Sequence, residues 1–315
     1  MAMRGSRTGG SALDRRSLLK GAALAGLGVF AAGCASTRDR PAHGVVSAAG
    51  EEPKAAGAKP RAAGAPAAPM AEDTVQMIFT AALIAEDLAT TFYYQGLLGE
   101  VIQDPRLAGP EGSAFNVSVL GSQGNVGYLR AALAAEIGHA DLMRQLIGRS
   151  DAAGDPVQTF YFPEGSFEDL ATFLGTLDAL ESAFVGAYLA AVRQLSSMAA
   201  RLPSGDAPQL DPKGNAYTGA QLVFFAEAAA SILGVEAEHR ALGRVIGQSI
   251  PANNLCYEQT AGVRTVYNGA GSAVAALGPF VKPGAKGFGA TGYALRQARA
   301  DAPKLMLPCT GGLPA

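Results

Sequence analysis

The chain is poor in residue types that mark several common protein classes. Its 315 residues include no tryptophan, only three histidines and only three cysteines. The formal net charge at pH 7 is −2 and no block of basic residues is present, which argues against a nucleic-acid partner. With so few histidines, each one is a candidate functional residue.

Alanine and leucine provide most of the hydrophobic fraction of 49%, and the 40 glycines lie mainly outside the Ala/Leu-rich stretches. This composition suits closely packed helices. The length would permit two domains, but the uneven composition indicates one folded unit with appendages. We therefore expect an all-α protein.

Residues 1–34 have the features of an export signal rather than of a folded segment. Arg15 and Arg16 resemble the core of a twin-arginine signal, and the apolar run that follows is shorter than the about 20 residues of a permanent membrane helix. The run ends at Cys34 in a sequence similar to a lipobox. We expect export to the periplasm or cell envelope with a lipid on Cys34; cleavage near Ala35 without lipidation is the alternative.

Two further segments flank the expected folded region. Residues 35–71 are mostly Ala, Pro and Gly, which predicts a disordered tether containing an incidental histidine, His43. Residues 251–315 are rich in Gly, Ala and Pro and predict an irregular C-terminal extension that packs on the folded region, with short helices near 262–277 and 293–300.

The extension contains the two cysteines that remain beside Cys34. In an oxidising compartment we expect Cys256 and Cys309 to form a disulfide, which in the chain-entropy model stabilises by about 3–4 kcal/mol. Two unpaired thiols are the alternative.

Residues 72–250 contain four stretches with helical periodicity, at about 72–100, about 125–147, from an N-cap at Ser166 onward, and about 218–248. In each stretch a glutamate falls on the apolar stripe, where a charge is not expected. The second and fourth stretches carry it in a Glu-x-x-His motif, whose i, i+3 spacing places both side chains on one face. The six residues are Glu86, Glu136, His139, Glu181, Glu236 and His239.

These six residues form the ligand set of a dinuclear metal site in a four-helix bundle. Two divalent cations would neutralise the four carboxylates, and oxygen-rich coordination with one imidazole per metal favours iron or manganese. Each motif glutamate is expected to bridge the two ions. The histidines and the other two glutamates are expected to be terminal ligands.

Tyr93 and Tyr188 follow Glu86 and Glu181 by seven residues each, which indicates a repeated helical hairpin. We expect these tyrosines to hydrogen-bond to a ligand carboxylate or to take part in radical chemistry; ordinary core packing is the alternative. Other carboxylates of the same helices are expected on solvated faces. They are Asp87, Asp141, Asp178, Glu227 and Glu238.

The segments 85–89, 135–139 and 232–239 resemble the ferritin-like dimetal-carboxylate superfamily, and within it the exported, desiccation-related ferritin-like proteins. The resemblance covers residues 72–250. It implies an antiparallel four-helix bundle, all six ligands, and a metal pair that reacts with dioxygen or peroxide. Peroxide removal and oxidation of a small organic substrate are two versions of this activity. A protein that oxidises or stores iron, and a metal-stabilised protective protein without catalysis, are the other hypotheses; the oligomeric state is not predicted.

Overall fold

The computed structural model describes residues 73–104, 107, 125–202, 209–210, 215–248 and 271–306. Its four long helices are α1 (Val75–Leu98), α2 (Asn125–Leu146), α3 (Leu170–Arg201) and α4 (Gly219–Ile246). The predicted all-α four-helix bundle is confirmed. The export signal, the tether, Cys34, Cys256 and Cys309 lie outside the described residues, so their assignments stay predictions.

Short elements complete the described chain. The remaining α-helices are α5 (Ser272–Leu277) and α6 (Leu295–Asp301). Two antiparallel strand pairs join β1 (Thr159–Phe160) to β4 (Tyr293–Ala294) and β2 (Gln209–Leu210) to β3 (Ala216–Tyr217). Single 3₁₀ turns lie at Glu100–Gln103, Ala152–Gly154, Gly278–Val281 and Ala302–Lys304.

Side-chain caps set where three of the long helices begin. Thr74 caps α1, and Thr218 forms a reciprocal capping box with Gln221 at the start of α4. The predicted cap of α3 at Ser166 is wrong. Asp169 is the N-cap and accepts a 2.9 Å hydrogen bond from the backbone N–H of Thr172, whereas the Ser166 hydroxyl donates to a carbonyl within the preceding turn.

The four helices pack as two hairpins, α1 on α2 and α3 on α4, as the sequence repeat predicts. Where α1 meets α3, the rings of Phe92 and Phe173 stack with centroids 4.6 Å apart. A glycine permits this approach, because a Cβ atom at Gly96 would lie 2.4 Å from the Phe173 ring. Close packing of this kind holds the helices at one register.

The C-terminal extension packs against the bundle. The strand pair β1–β4 attaches it to the loop between α2 and α3, and α6 lies on α1. Leu295 and Ala298 of α6 are fully buried and belong to the same core cluster as Phe92. Part of the core is therefore closed by residues that follow the bundle in sequence.

Three of the long helices, α1, α3 and α4, are long and apolar enough to cross a membrane by length and composition. In α1, 78% of the most apolar window is buried inside the protein. Each of the three also carries one of the glutamates discussed next, at a buried position.

Candidate metal centre

The structure brings all six sequence-predicted ligands together in the middle of the bundle. Glu136, Glu181 and Glu236 have no exposed surface, and Glu86 is 2% exposed. The glutamates are buried because each occupies a position on the core-facing stripe of its helix. A buried carboxylate without a partner is costly, so these four side chains require an explanation.

The ligand atoms form two interlocking groups, in each of which all atoms lie within 4.8 Å of one another. The groups share two members, Glu136 and Glu236, which are the glutamates of the Glu-x-x-His motifs. The groups are Glu86, Glu136, His139 and Glu236, and Glu136, Glu181, Glu236 and His239. This is the arrangement expected of two bridging carboxylates with one terminal glutamate and one imidazole on each side.

Each histidine lies closer to the shared glutamate of the other motif than to its own. Nδ1 of His139 is 3.2 Å from Oε1 of Glu236 but 3.7 Å from Oε2 of Glu136. Nδ1 of His239 is 2.9 Å from Oε1 of Glu136 but 3.6 Å from Oε2 of Glu236. The two halves of the site therefore follow the pseudo-two-fold relation of the two hairpins.

Eight buried polar atoms of these residues make no hydrogen bond with acceptable geometry, although some lie close to one another, as Nδ1 of His239 and Oε1 of Glu136 do at 2.9 Å. They are Oε2 of Glu86, both carboxylate oxygens of Glu136 and of Glu236, Oε2 of Glu181, and Nδ1 of His139 and of His239. Buried polar atoms are nearly always satisfied in folded proteins, so such a concentration indicates groups that bind something else. The charge, the oxygen-rich donor set and the two groups fit a pair of divalent cations.

Burial and mutual repulsion change the acidity of the site. Burial, with the charges of Glu236 and Glu136, raises the pKa of Glu181 well above its ordinary value. Burial, with the charge of Glu86, also raises the pKa of Glu136. Without metal, these carboxyl groups therefore hold protons to higher pH than a solvent-exposed glutamate does.

Burial and the nearby carboxylates have opposite effects on the pKa values of the two histidines. Burial lowers the pKa of each imidazole, but the adjacent carboxylates outweigh this effect. They raise the pKa of His139 to about 12 and that of His239 to about 10. The metal-free site thus holds both histidines as cations, which partly neutralise the carboxylates.

Two tyrosines connect the hairpins at this site. The Tyr93 hydroxyl in α1 donates a 2.6 Å hydrogen bond to Oε1 of Glu181 in α3, and the Tyr188 hydroxyl in α3 donates to Oε1 of Glu86 in α1. Burial and the nearby carboxylates raise both tyrosine pKa values well above 10, so both hydroxyls are protonated donors. Each hydrogen bond leaves Oε2 of the glutamate free to face the ligand group.

One expectation about the surrounding carboxylates is wrong. Asp87 was expected on a solvated face but is 1% exposed, because the side of α1 next to Glu86 faces α2. Its Oδ1 lies 2.6 Å from Nη2 of Arg144, which also contacts Asp155. The sequence contained a signal for this contact, since Arg144 and Arg244 each follow a motif histidine by five residues.

The other four carboxylates lie at or near the surface. Side chains of Asp141 and Asp178 are 49% and 39% exposed and pair with arginines. Glu227 and Glu238 are exposed, as expected. None of the four belongs to either ligand group.

A family model described as "Ferritin-like domain" matches residues 74–202. The match spans α1 to α3 and includes Glu86, Glu136, His139 and Glu181; the helix with Glu236 and His239 follows it. No curated protein and no solved structure matches the chain significantly.

Proposed function

We propose that this protein, residues 74–202 of which match a ferritin-like domain model, binds two iron or manganese ions and reacts with dioxygen or peroxide. The observation that carries the proposal is the set of eight unpartnered buried atoms in two groups sharing Glu136 and Glu236. Two divalent cations would give every one of these atoms a partner. They would also match the four negative charges of the glutamates.

Iron or manganese is favoured over zinc or copper by the donor set. Among the described residues, each group offers three carboxylates and one imidazole. Metals that prefer thiolate or several imidazoles fit such a site less well.

The protein residues organise this site in a defined way. Glu136 and Glu236 belong to both ligand groups and would be shared by the two ions, while Tyr93 and Tyr188 orient Glu181 and Glu86. When bound, a pair of redox-active cations supplies electrons and open coordination positions to an oxidant. The bundle excludes solvent from the three fully buried glutamates, and the side chain of His139, 14% exposed, is the ligand nearest to solvent.

We further propose that the protein works in the periplasm or cell envelope. The twin-arginine-like sequence and the apolar run before Cys34 support this location. A route that exports folded proteins would let the site acquire its metal before export. Mass spectrometry of the mature N-terminus tests the proposal: a lipid on Cys34 supports anchoring, and a retained N-terminus contradicts export.

The decisive experiment is elemental analysis of the protein purified folded from its native envelope, followed by addition of dioxygen or peroxide. We expect about two iron or manganese atoms per chain, as the two ligand groups require, and a change in the optical spectrum as the oxidant is consumed. Two variants of α4 provide a matched comparison. Glu236→Gln removes a buried candidate ligand and should lose metal, whereas Glu238→Gln changes an exposed residue of the same helix and should retain both metals.

Other outcomes would change the functional conclusion. Two metals that respond to neither oxidant would favour a metal-stabilised protective protein. Iron taken up in large excess over the site would favour iron storage. Absence of metal would contradict the dinuclear site itself.

A further inference from the structure

A separate cavity lies beside the metal centre, between α1, α3 and α5. Its volume is about 60 Å³. Alanines are the commonest residues of its wall and include Ala82, Ala85, Ala183, Ala187, Ala273 and Ala276; larger apolar side chains such as Leu180 and Phe184 complete it. The polar residues of the wall are Asp73, Gln194, Ser272 and Tyr188.

The cavity extends from the end of the bundle towards the ligands. At the outer end, the backbone N–H of Asp73 donates a 2.7 Å hydrogen bond to Gln194, and the N–H of Gly271 donates to Oδ1 of Asp73. The wall residues contributed by α1 lie between Met77 and Ala85, a rise of about 12 Å at 1.5 Å per residue. They belong to the first half of α1.

The wall of the cavity approaches the metal centre on the side of Glu86, although none of the six candidate ligands is a wall residue. Ala85, in the wall, is the residue before Glu86. Tyr188, also in the wall, donates its hydroxyl hydrogen bond to Glu86. The Tyr188 side chain therefore connects the cavity wall to the Glu86 carboxylate.

The wall and the volume restrict the molecule that the cavity accepts. A polar molecule would lose its hydrogen bonds to water along an alanine wall, whereas an apolar molecule would not. Apolar cavities of about 150 Å³ stay dry and bind benzene or xenon, so a volume of about 60 Å³ suits a molecule of few heavy atoms. Dioxygen is both apolar and small enough for the cavity. Hydrogen peroxide is small enough but polar, so it would lose hydrogen bonds to water on entering.

We propose that this cavity binds dioxygen and conducts it to the Glu86 side of the metal centre. The inference rests on the proposed function, and it identifies dioxygen as the oxidant that arrives by this path. It also assigns a role to the C-terminal extension, because Ala273 and Ala276 of α5 form part of the wall.

Xenon binding tests the cavity independently of any metal. In the full-length protein, ¹²⁹Xe NMR should show saturable binding. Ala183→Leu fills the cavity from α3 and Ala273→Leu fills it from α5. If one variant fails to fold, the other still tests the proposal. Both should weaken xenon binding by at least about tenfold, while Ala171→Leu, at an exposed position of α3, should not. Absence of saturable binding, or equal binding by both cavity variants, would overturn the proposal.

Stopped-flow oxidation of the reduced, metal-loaded protein tests whether dioxygen reaches the metal centre through the cavity. The cavity variants should react with dioxygen about tenfold more slowly but with peroxide at the rate of the unaltered protein. Equal slowing with both oxidants would contradict a selective path. Loss of reactivity with both oxidants in the unaltered protein would instead contradict the proposed function, and the xenon result would still decide what the cavity binds.

Discussion

The hydroxyl of Tyr93 donates a 2.6 Å hydrogen bond to Oε1 of Glu181, across the boundary between the two helical hairpins. Tyr188 makes the corresponding bond to Glu86 in the opposite direction. Each hairpin therefore orients a buried glutamate of the other hairpin. Because both glutamates keep Oε2 unpartnered, the two hydrogen bonds direct that oxygen towards the centre.

Removal of one of these hydrogen bonds should loosen metal binding without abolishing it. Tyr93→Phe leaves Glu181 in place but deprives its carboxylate of an orienting donor. We expect metal affinity to fall by about 10- to 100-fold, the usual effect of losing a partner of a metal ligand. Competitive metal titration measures this change. Tyr128→Phe, at a half-exposed position of α2, is the control and should leave the affinity unaltered.

Glu181→Gln should have opposite effects on the metal-free and metal-loaded proteins. Burial and two neighbouring carboxylates raise the pKa of Glu181, so at neutral pH its presence destabilises the metal-free fold. The neutral amide should raise the free energy of unfolding of the metal-free protein by about 1–3 kcal/mol. The same change should lower metal content and the Tm of the loaded protein. Thermal unfolding measured with and without metal tests the predicted stabilisation of the metal-free protein and the predicted destabilisation of the loaded protein. Destabilisation of both would argue against repulsion between the carboxylates.

Metal binding should release protons, and the metal affinity should therefore increase as pH rises. The pKa values of His139 and His239 are about 12 and about 10 in the metal-free fold, above the ordinary 6.5. Their contribution to metal-free stability is therefore complete below pH 6.5 and is lost as pH rises through about 10 and about 12. Because only a neutral imidazole binds metal, each histidine must lose its proton on binding.

Calorimetry in buffers of different ionisation enthalpy measures this proton release. We expect affinity to increase about tenfold per pH unit for each proton released. His139→Gln should reduce the number of protons released as well as the metal content. Binding without any proton release would contradict the protonated state of the histidines.

The buried ion pair beside the centre should contribute more to stability than an exposed pair. Asp87→Ala removes one of three carboxylates that contact Arg144, which is 3% exposed and keeps Asp141 and Asp155. We expect a loss of about 1–3 kcal/mol in the free energy of unfolding, because Arg144 loses one hydrogen bond to a charged group. The control, Asp178→Ala, removes the partly exposed partner of Arg244 and should cost about 0–1 kcal/mol. Urea denaturation compares the two, and equal losses would show that burial of Asp87 is unimportant.

Helix periodicity made most of the bundle predictable. Each helix has an apolar stripe with a 3.6-residue period, and a glutamate interrupts each stripe at a core position. The i, i+3 spacing of the motifs also places His139 beside Glu136 and His239 beside Glu236 before any tertiary contact is known. The start of α3 was harder to predict from the sequence, because Ser166 and Asp169 are both residue types that cap helices. Contacts of the preceding turn decide between them.

By itself, the sequence determined the helices, their order and the six residues that face the core, because these depend on spacing along one chain. Tertiary structure decided which groups meet. It joined Tyr93 to Glu181, placed Asp87 against Arg144, and covered the alanine-lined cavity with α5. These contacts depend on the rotation and register of one helix against another, which periodicity within a single helix does not specify.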